Sequence, residues 1–226
     1  MNQTFVELLE DNADHAAAFD GKFDDVQDAQ QPAAVTVCCS DSRVLQDHIW
    51  NTDQPGSVFT CSNIGNRVLQ RTDSGTAVSG DVLYPIEHTG TETAIVIGHT
   101  GCGAVTATYD ALRDGISEPA GIEHCLALLK PHLAPGVQVL PEDIGRAEAI
   151  NRLVEFNVDR QVEALLESPD IPQSVSVAGV VYDFQDVYGG KRGEVHVINI
   201  DGQRRCDVLQ ADYPDIASRV NRLWEY

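Results

Sequence analysis

Two short apolar runs, Ala33-Ala34-Val35-Thr36-Val37 and Thr93-Ala94-Ile95-Val96-Ile97-Gly98, each end abruptly in a cluster of charged or metal-binding groups. The first leads into Cys38-Cys39-Ser40-Asp41-Ser42-Arg43 and the second into His99-Thr100-Gly101-Cys102-Gly103. Brief, β-branched, unbroken apolar runs predict strands buried on both faces, as in a parallel sheet. In such a sheet ligands bind in the crevice beyond the carboxyl ends of the strands, so both clusters are expected at one rim. Cys39, His99 and Cys102 could meet there. Two thiolates and an imidazole suit zinc, and three protein ligands leave a fourth tetrahedral position open, the mark of a catalytic site. A closed zinc clasp, or three merely buried groups, is the bland alternative. Side chains of an extended segment alternate, which puts Cys39, Asp41 and Arg43 on one side and Cys38 on the other. The residues point to a zinc enzyme that hydrolyses or hydrates its substrate.

The rest of the chain supplies the frame. Residues 2–30 read as helical, with Phe5, Leu8, Leu9, His15, Ala16 and Phe19 recurring at three- and four-residue steps, and Gln31-Pro32 ends this arm. A second strand is expected over 57–61. Asn63-Ile64-Gly65-Asn66 reads as a loop entering a helix, and 72–80 as the most loop-like stretch. Helices are expected over 81–88, with Pro85 in the first turn, over 104–112 up to Gly115, and over 120–130. Pro141-Glu142-Asp143 opens the longest helix, whose apolar face is Ile144, Ala147, Ile150, Val154, Val158, Val162 and Leu165. A fourth strand over 175–184 turns into an antiparallel partner over 195–200, and a helix over about 212–224 closes the chain. The expected fold is α/β: a central, mostly parallel sheet of four strands plus an antiparallel edge strand, flanked by helices, with an N-terminal helical arm. With 226 residues and no long linker, the chain reads as one domain, 1–32 forming the arm and 33–226 the core.

Cys39-Ser40-Asp41-Ser42-Arg43 followed by His99-Thr100-Gly101-Cys102-Gly103-Ala104-Val105 resembles the signature pair of the β-class carbonic anhydrases. The likeness runs through Ser57-Val58-Phe59 and Asn63-Ile64-Gly65-Asn66 and into Val177-Ala178-Gly179-Val180-Val181-Tyr182-Asp183. It implies Zn²⁺ held by Cys39, His99 and Cys102, an Asp41–Arg43 dyad beside it, and reversible hydration of CO₂ to bicarbonate and a proton by a zinc-bound hydroxide. It also implies a homodimer or higher homo-oligomer whose arm packs on the partner. Gly101 and Gly103 leave room for a backbone N–H to approach bicarbonate. Relatives in which bicarbonate moves the aspartate onto the metal carry an arginine before the Asn of the middle loop; Ser62 stands there in this chain, so Asp41 is expected to stay with Arg43. Hydrolysis of CS₂ or COS on the same zinc motifs is the enzyme alternative, and a non-catalytic zinc-binding structural protein is the other. Retention of both Asp41 and Arg43 speaks against the latter.

Composition narrows the partners. The formal charge is −20 with pI near 4.4, and Lys22, Lys130 and Lys191 are the only lysines, so nucleic acid and anionic membrane surfaces are disfavoured. No run approaches the length of a membrane span and the first residues lack a signal-peptide pattern, so a cytoplasmic location is expected. In that setting the six cysteines read as thiols. Self-repulsion on this scale is tolerable where salt screens it, the Debye length falling to about 3 Å at 1 M. A protein adapted to a salt-rich cytoplasm is therefore expected to show a thermal midpoint that rises from low to molar KCl, read by circular dichroism. A midpoint that stays flat or falls would refute that adaptation.

Overall fold

A computed structural model describes residues 3–226, so the first residue of the helix expected over 2–30 lies outside the described residues. In chain order the elements are α1 (Gln3–Phe19), a 3₁₀ turn (Asp20–Phe23), β1 (Ala34–Cys39), α2 (Gln46–Ile49), β2 (Val58–Asn63), β3 (Leu69–Thr72) and β4 (Gly75–Val78). They continue with α3 (Gly80–Thr89), β5 (Thr93–His99), α4 (Gly103–Asp114), α5 (Ala120–Val139), α6 (Arg146–Leu166), β6 (Ser176–Asp183), β7 (Glu194–Ile200), α7 (Cys206–Asp212) and a 3₁₀ segment (Pro214–Arg219).

The main sheet has the order β2-β1-β5-β6-β7. Its first four strands are parallel and β7 runs antiparallel to β6, the arrangement expected from sequence. From β1 the chain moves outward to β2 and then returns to place β5 on the other side of β1. The order therefore reverses between β1 and β5, and the crevice that opens at such a reversal lies beyond Cys39 and His99.

The two faces of the sheet differ. One is covered by the main core, in which Val35, Val37, Ala94, Val96 and Val177 meet α3–α6. The other holds a small cluster of Cys38, Val44, Ile97 and Val180 beside α2, with Trp50, Ile95, Tyr182, Val195 and Val197 only partly covered. On the covered face α6 lies very close to the strands. A Cβ at Gly98 would stand 2.6 Å from Val158 Cγ2 and 2.9 Å from Val154 Cγ1, and one at Gly179 would stand 2.7 Å from Val158 Cγ1. Both strands carry glycine where the helix needs their side-chain space.

Several boundaries differ from the sequence reading, each for a local reason. The arm helix stops at Phe19, and residues 24–33 are irregular. In place of a helix after Asn66 and a loop over 72–80, β3 and β4 form a hairpin around Asp73-Ser74; its mostly exposed polar residues hide the alternation. Pro85 sits in the second turn of α3, and the Asp81 carbonyl it cannot serve accepts the Cys61 thiol at 3.3 Å. Helix α5 runs past Pro131 and Pro135 to Val139 because Leu126, Leu129 and Leu133 stay buried along it. Helix α6 begins at Arg146, Ala147 is exposed, and residues 149–162 are buried almost all round. The closing helix is 206–212, cut off where Pro214 forces Tyr213 out of helical geometry. The tail then runs irregularly onto α6, where Glu155 accepts the N–H groups of Leu223 and Trp224 at 2.7 and 3.1 Å.

Replacing Gly98 by Ala should lower unfolding stability by about 1–3 kcal/mol through overpacking, measured by urea denaturation. Combined with Val158→Ala, the loss should be smaller than the sum of the two single losses. Strict additivity would show that the helix does not press on Gly98.

Candidate metal centre

Each candidate ligand is delivered by a strand or helix end. Cys39 is the last residue of β1 and His99 the last of β5, on neighbouring strands. Cys102 follows a tight turn and stands immediately before α4, where the Ala104 and Val105 amides donate to its sulfur. The Gly65 amide, from the loop after β2, donates to Cys39. The donor atoms of Cys39, His99 and Cys102 all lie within 4.8 Å of one another, and all three residues are buried. Cys38 faces the opposite side of the sheet, as the alternation of an extended segment requires. Burial and the neighbouring Cys39 push its thiol up to about 12, so it is no candidate ligand.

The donor set is shaped for a tetrahedral cation. The Cys39 and Cys102 sulfurs are 3.8 Å apart, and two sulfurs at about 2.3 Å from one tetrahedral ion would stand at about that separation. His99 Nδ1 lies 3.1 Å from the Thr100 carbonyl. A carbonyl only accepts, so Nδ1 carries the proton and Nε2 is left with its lone pair. That Nε2 is buried with no hydrogen-bond partner, an arrangement that is costly unless something else occupies the lone pair. The Cys102 thiol donates to Cys39 and, with the Gly65 amide, holds Cys39 well below the ordinary thiol range. The same contact, with burial, raises Cys102. One contact thus holds one thiol of the pair down and pushes the other up.

Asp41 and Arg43 flank the cluster on its open side. Asp41 is fixed by three bonds from Arg43: Nε to Oδ1 at 2.8 Å, an Nη to Oδ2 at 2.6 Å and the backbone N–H to Oδ1 at 3.0 Å. This grip holds the Asp41 carboxyl far below the usual carboxylate range against the opposing effect of burial. Its Oδ2 is 3.7 Å from His99 Nε2, too far for a hydrogen bond. The Arg43 guanidinium lies over the Phe184 ring at 4.6 Å, and the same ring stacks on the His99 imidazole at 5.8 Å. Ser62 accepts from Gln46 at 2.8 Å, so the position before Asn63 belongs to a neutral hydrogen-bond set. Of the two glycines, Gly101 donates its N–H to Asn151 Oδ1 at 2.8 Å and is not free for a ligand. Gly103, the first residue of α4, has open space where a side chain would stand.

A family model described as carbonic anhydrase matches residues 34–194. A tetrameric β-carbonic anhydrase from Sordaria macrospora superposes with a TM-score of 0.72 at 25% identity, covering 88% of this chain and 98% of that one. The chain belongs to the β-class carbonic anhydrases. Carbonic anhydrases of Pseudomonas aeruginosa and Emericella nidulans are each 28% identical to it, over 83% and 99% of this chain and 81% and 91% of their own. Hydration of CO₂ is the general reaction of this family of metalloenzymes.

The carbonic anhydrase also uses residues that motif reading passed over. Asn151, Asn157 and Gln161 are buried amides on α6, and Phe184 and Gln185 follow β6. The one signal available in the sequence was uncharged amides set into an apolar helical stripe, where each demands a partner.

With Cys39 held down and Cys102 pushed up, a divalent cation is expected to displace one sulfur-bound proton near neutrality. Zinc titrated into the metal-free carbonic anhydrase at pH 7 should release about one proton per site, where two ordinary thiols would release about two. Zinc affinity should then rise about tenfold per pH unit near neutrality. An indicator dye in weak buffer reads the count, and a release near two would show that both sulfurs hold protons before binding.

Proposed function

We propose that this carbonic anhydrase binds Zn²⁺ through Cys39, His99 and Cys102 and catalyses the reversible hydration of CO₂ to bicarbonate and a proton. The observation that carries the reading is the orphaned, buried His99 Nε2 beside two sulfurs and an ionised Asp41. Two thiolates and an imidazole favour zinc over harder cations. When bound, zinc supplies the Lewis acidity that makes hydroxide available from water near neutral pH.

The chain's own residues do the positioning. Asp41 is too acidic to serve as a general base near neutrality. Its role is to accept a hydrogen bond through Oδ2 and so orient the attacking oxygen toward the carbon of CO₂. Arg43 keeps Asp41 ionised and holds its plane. Gly103 leaves the space beside Cys102 open for substrate, and Gly101 serves the turn. A neutral Ser62–Gln46 pair offers no cation to draw bicarbonate and pull Asp41 away from Arg43.

The reading includes a homodimer or larger homo-oligomer. Helix α1 buries none of its residues, and Phe5, Leu8 and Leu9 are 51%, 61% and 52% exposed. The thinly covered face of the sheet adds partly exposed Trp50, Val195 and Val197. Apolar surface of this extent, with a tetrameric relative in Sordaria macrospora, supports burial against a second copy.

The test is stopped-flow CO₂ hydration by the zinc-loaded protein in molar KCl from pH 6.5 to 9 (about the range where zinc-bound water titrates), with mass measured by light scattering. Turnover should rise with pH, because two thiolates leave the metal less electrophilic than three imidazoles would. Asp41→Asn should cut kcat/KM by about 100-fold or more while zinc stays bound. A profile flat across that whole range would sink the thiolate argument. Turnover of CS₂ but not CO₂, or bound zinc with no turnover, would replace the proposed reaction, and a monomeric mass would remove the assembly.

A further inference from the structure

Asn151 lies in the second turn of α6 among the buried Ala149, Ile150, Leu153 and Val154. A polar side chain in such a place needs a partner, and its Oδ1 accepts the Gly101 N–H at 2.8 Å. Gly101 stands between His99 and Cys102 with φ +62°, and a Cβ there would come within 2.8 Å of the Gln185 side-chain amide. The peptide is thus held by α6 on one side and covered by Gln185 on another. On either side of that peptide the turn has other anchors: the Thr100 N–H donates to the Tyr182 carbonyl at 3.1 Å and its hydroxyl to Asp183 at 3.2 Å, while the Cys102 carbonyl accepts the N–H and hydroxyl of Thr106 at 3.0 and 2.9 Å. Those anchors hold the histidine and cysteine ends of the turn and leave the Gly101 peptide between them to Asn151.

The same helix reaches the other ligand. Asn157 donates to the Gly65 carbonyl at 3.2 Å and to Asn66 Oδ1 at 3.0 Å, and the Gly65 amide donates to the Cys39 sulfur. Both cysteine-bearing ends are therefore tied to α6 through a buried side-chain amide. We infer that Asn151 is a positioning residue of the metal centre: its side-chain carbonyl fixes the Gly101 peptide and thereby sets the spacing between His99 and Cys102. This rests on the reading of Cys39, His99 and Cys102 as the ligands. Groups that orient metal ligands in this indirect way typically govern affinity by 10–100-fold (order of magnitude,).

The experiment uses the full-length chain and reads metal binding apart from turnover. Zinc dissociation constants are measured by chelator competition, and the ligand field is read from the visible absorption of the Co²⁺ form. Asn151→Leu keeps a similar volume but removes the acceptor; Asn151→Asp keeps an acceptor oxygen. Val162→Ala, on the same helix and fully buried away from the turn, serves as a general destabilisation. Asn151→Leu should weaken zinc by about 10–100-fold and change the Co²⁺ spectrum, Asn151→Asp should stay close to wild type, and Val162→Ala should lower stability without altering affinity. If Asn151→Leu does not fold, Asn151→Ala carries the same expectation. Wild-type affinity and spectrum in the acceptor-less variant, or equal weakening in Val162→Ala, would overturn the inference. Failure of the wild-type chain to bind either metal would instead refute the ligand assignment, and this inference with it.

Discussion

Gly98 and Gly179 leave no side chain between α6 and strands β5 and β6, and Val154 and Val158 fill the space so gained. At that separation the short side chains of Asn151 and Asn157 reach the loops at the rim. A helix held farther out by a Cβ on either strand would carry the same amides away from their partners. Once α6 is this deep it is buried almost all round, and its buried amides and carboxylates need partners. Gln161 accepts the Val68 N–H at 2.9 Å, Asp159 accepts from Asn199 at 2.6 Å and from Arg222 at 2.8 Å, and Glu155 accepts from Tyr188 at 2.6 Å and from the tail. Burial pushes the Glu155 carboxyl up to about 7, although Tyr188, the Leu223 amide and Arg222 pull the other way. One close contact thus obliges the sheet, both ligand loops and the C-terminal tail to agree on a single helix position.

The rim has an electrostatic problem of its own. A carboxylate stands beside a sulfur pair that already carries negative charge, in a chain of formal charge −20. Arg43 answers it locally, although its side chain is 52% exposed. An exposed ion pair is worth only about 0–1 kcal/mol and is screened by salt. The Asp41–Arg43 pair has more than Coulomb attraction: a bidentate geometry, a backbone N–H to the same carboxylate, and the face of Phe184 beneath the guanidinium. Those short-range contacts do not fade over a Debye length as the field of the whole surface does. Phe184 also meets the His99 ring, so ligand and dyad share one apolar support.

The main sheet was legible because its strands are short, β-branched and buried, and the period of two singled out Cys39 over Cys38. The ligand motifs were legible because few other residue types could do their chemistry at strand ends. The β3–β4 hairpin was not, since Gln70, Arg71 and Thr76 face solvent and carry no apolar alternation. Pro131 reads locally as a stop, yet Leu129 and Leu133 hold α5 together across it, a tertiary effect that a window of residues does not contain. On α6 the apolar stripe was found but drawn too narrowly. Asn151, Glu155, Asn157 and Asp159 look like a solvated face until their partners, which lie between 33 and 92 residues away in sequence, are in place.

The four parallel strands divide the work at the rim. The inner pair, β1 and β5, flanks the reversal of strand order and ends in Cys39 and His99. Neighbouring strands lie about 4.8 Å apart, a distance a single ion can bridge when each strand end supplies one donor. The outer pair ends in Asn63 and Asp183, neither of which belongs to the ligand cluster. Asn63 closes the loop to Arg67 with bonds of 2.9 and 2.8 Å, and that loop brings the Gly65 amide to Cys39. Asp183 holds the Thr100 hydroxyl and the N–H groups of Gln185 and Tyr188, which sets both the histidine turn and the segment carrying Phe184. A donor ending β2 would stand two strands from His99, and one ending β6 two strands from Cys39. Polar residues at those outer ends can still fix the backbone from which the inner donors project.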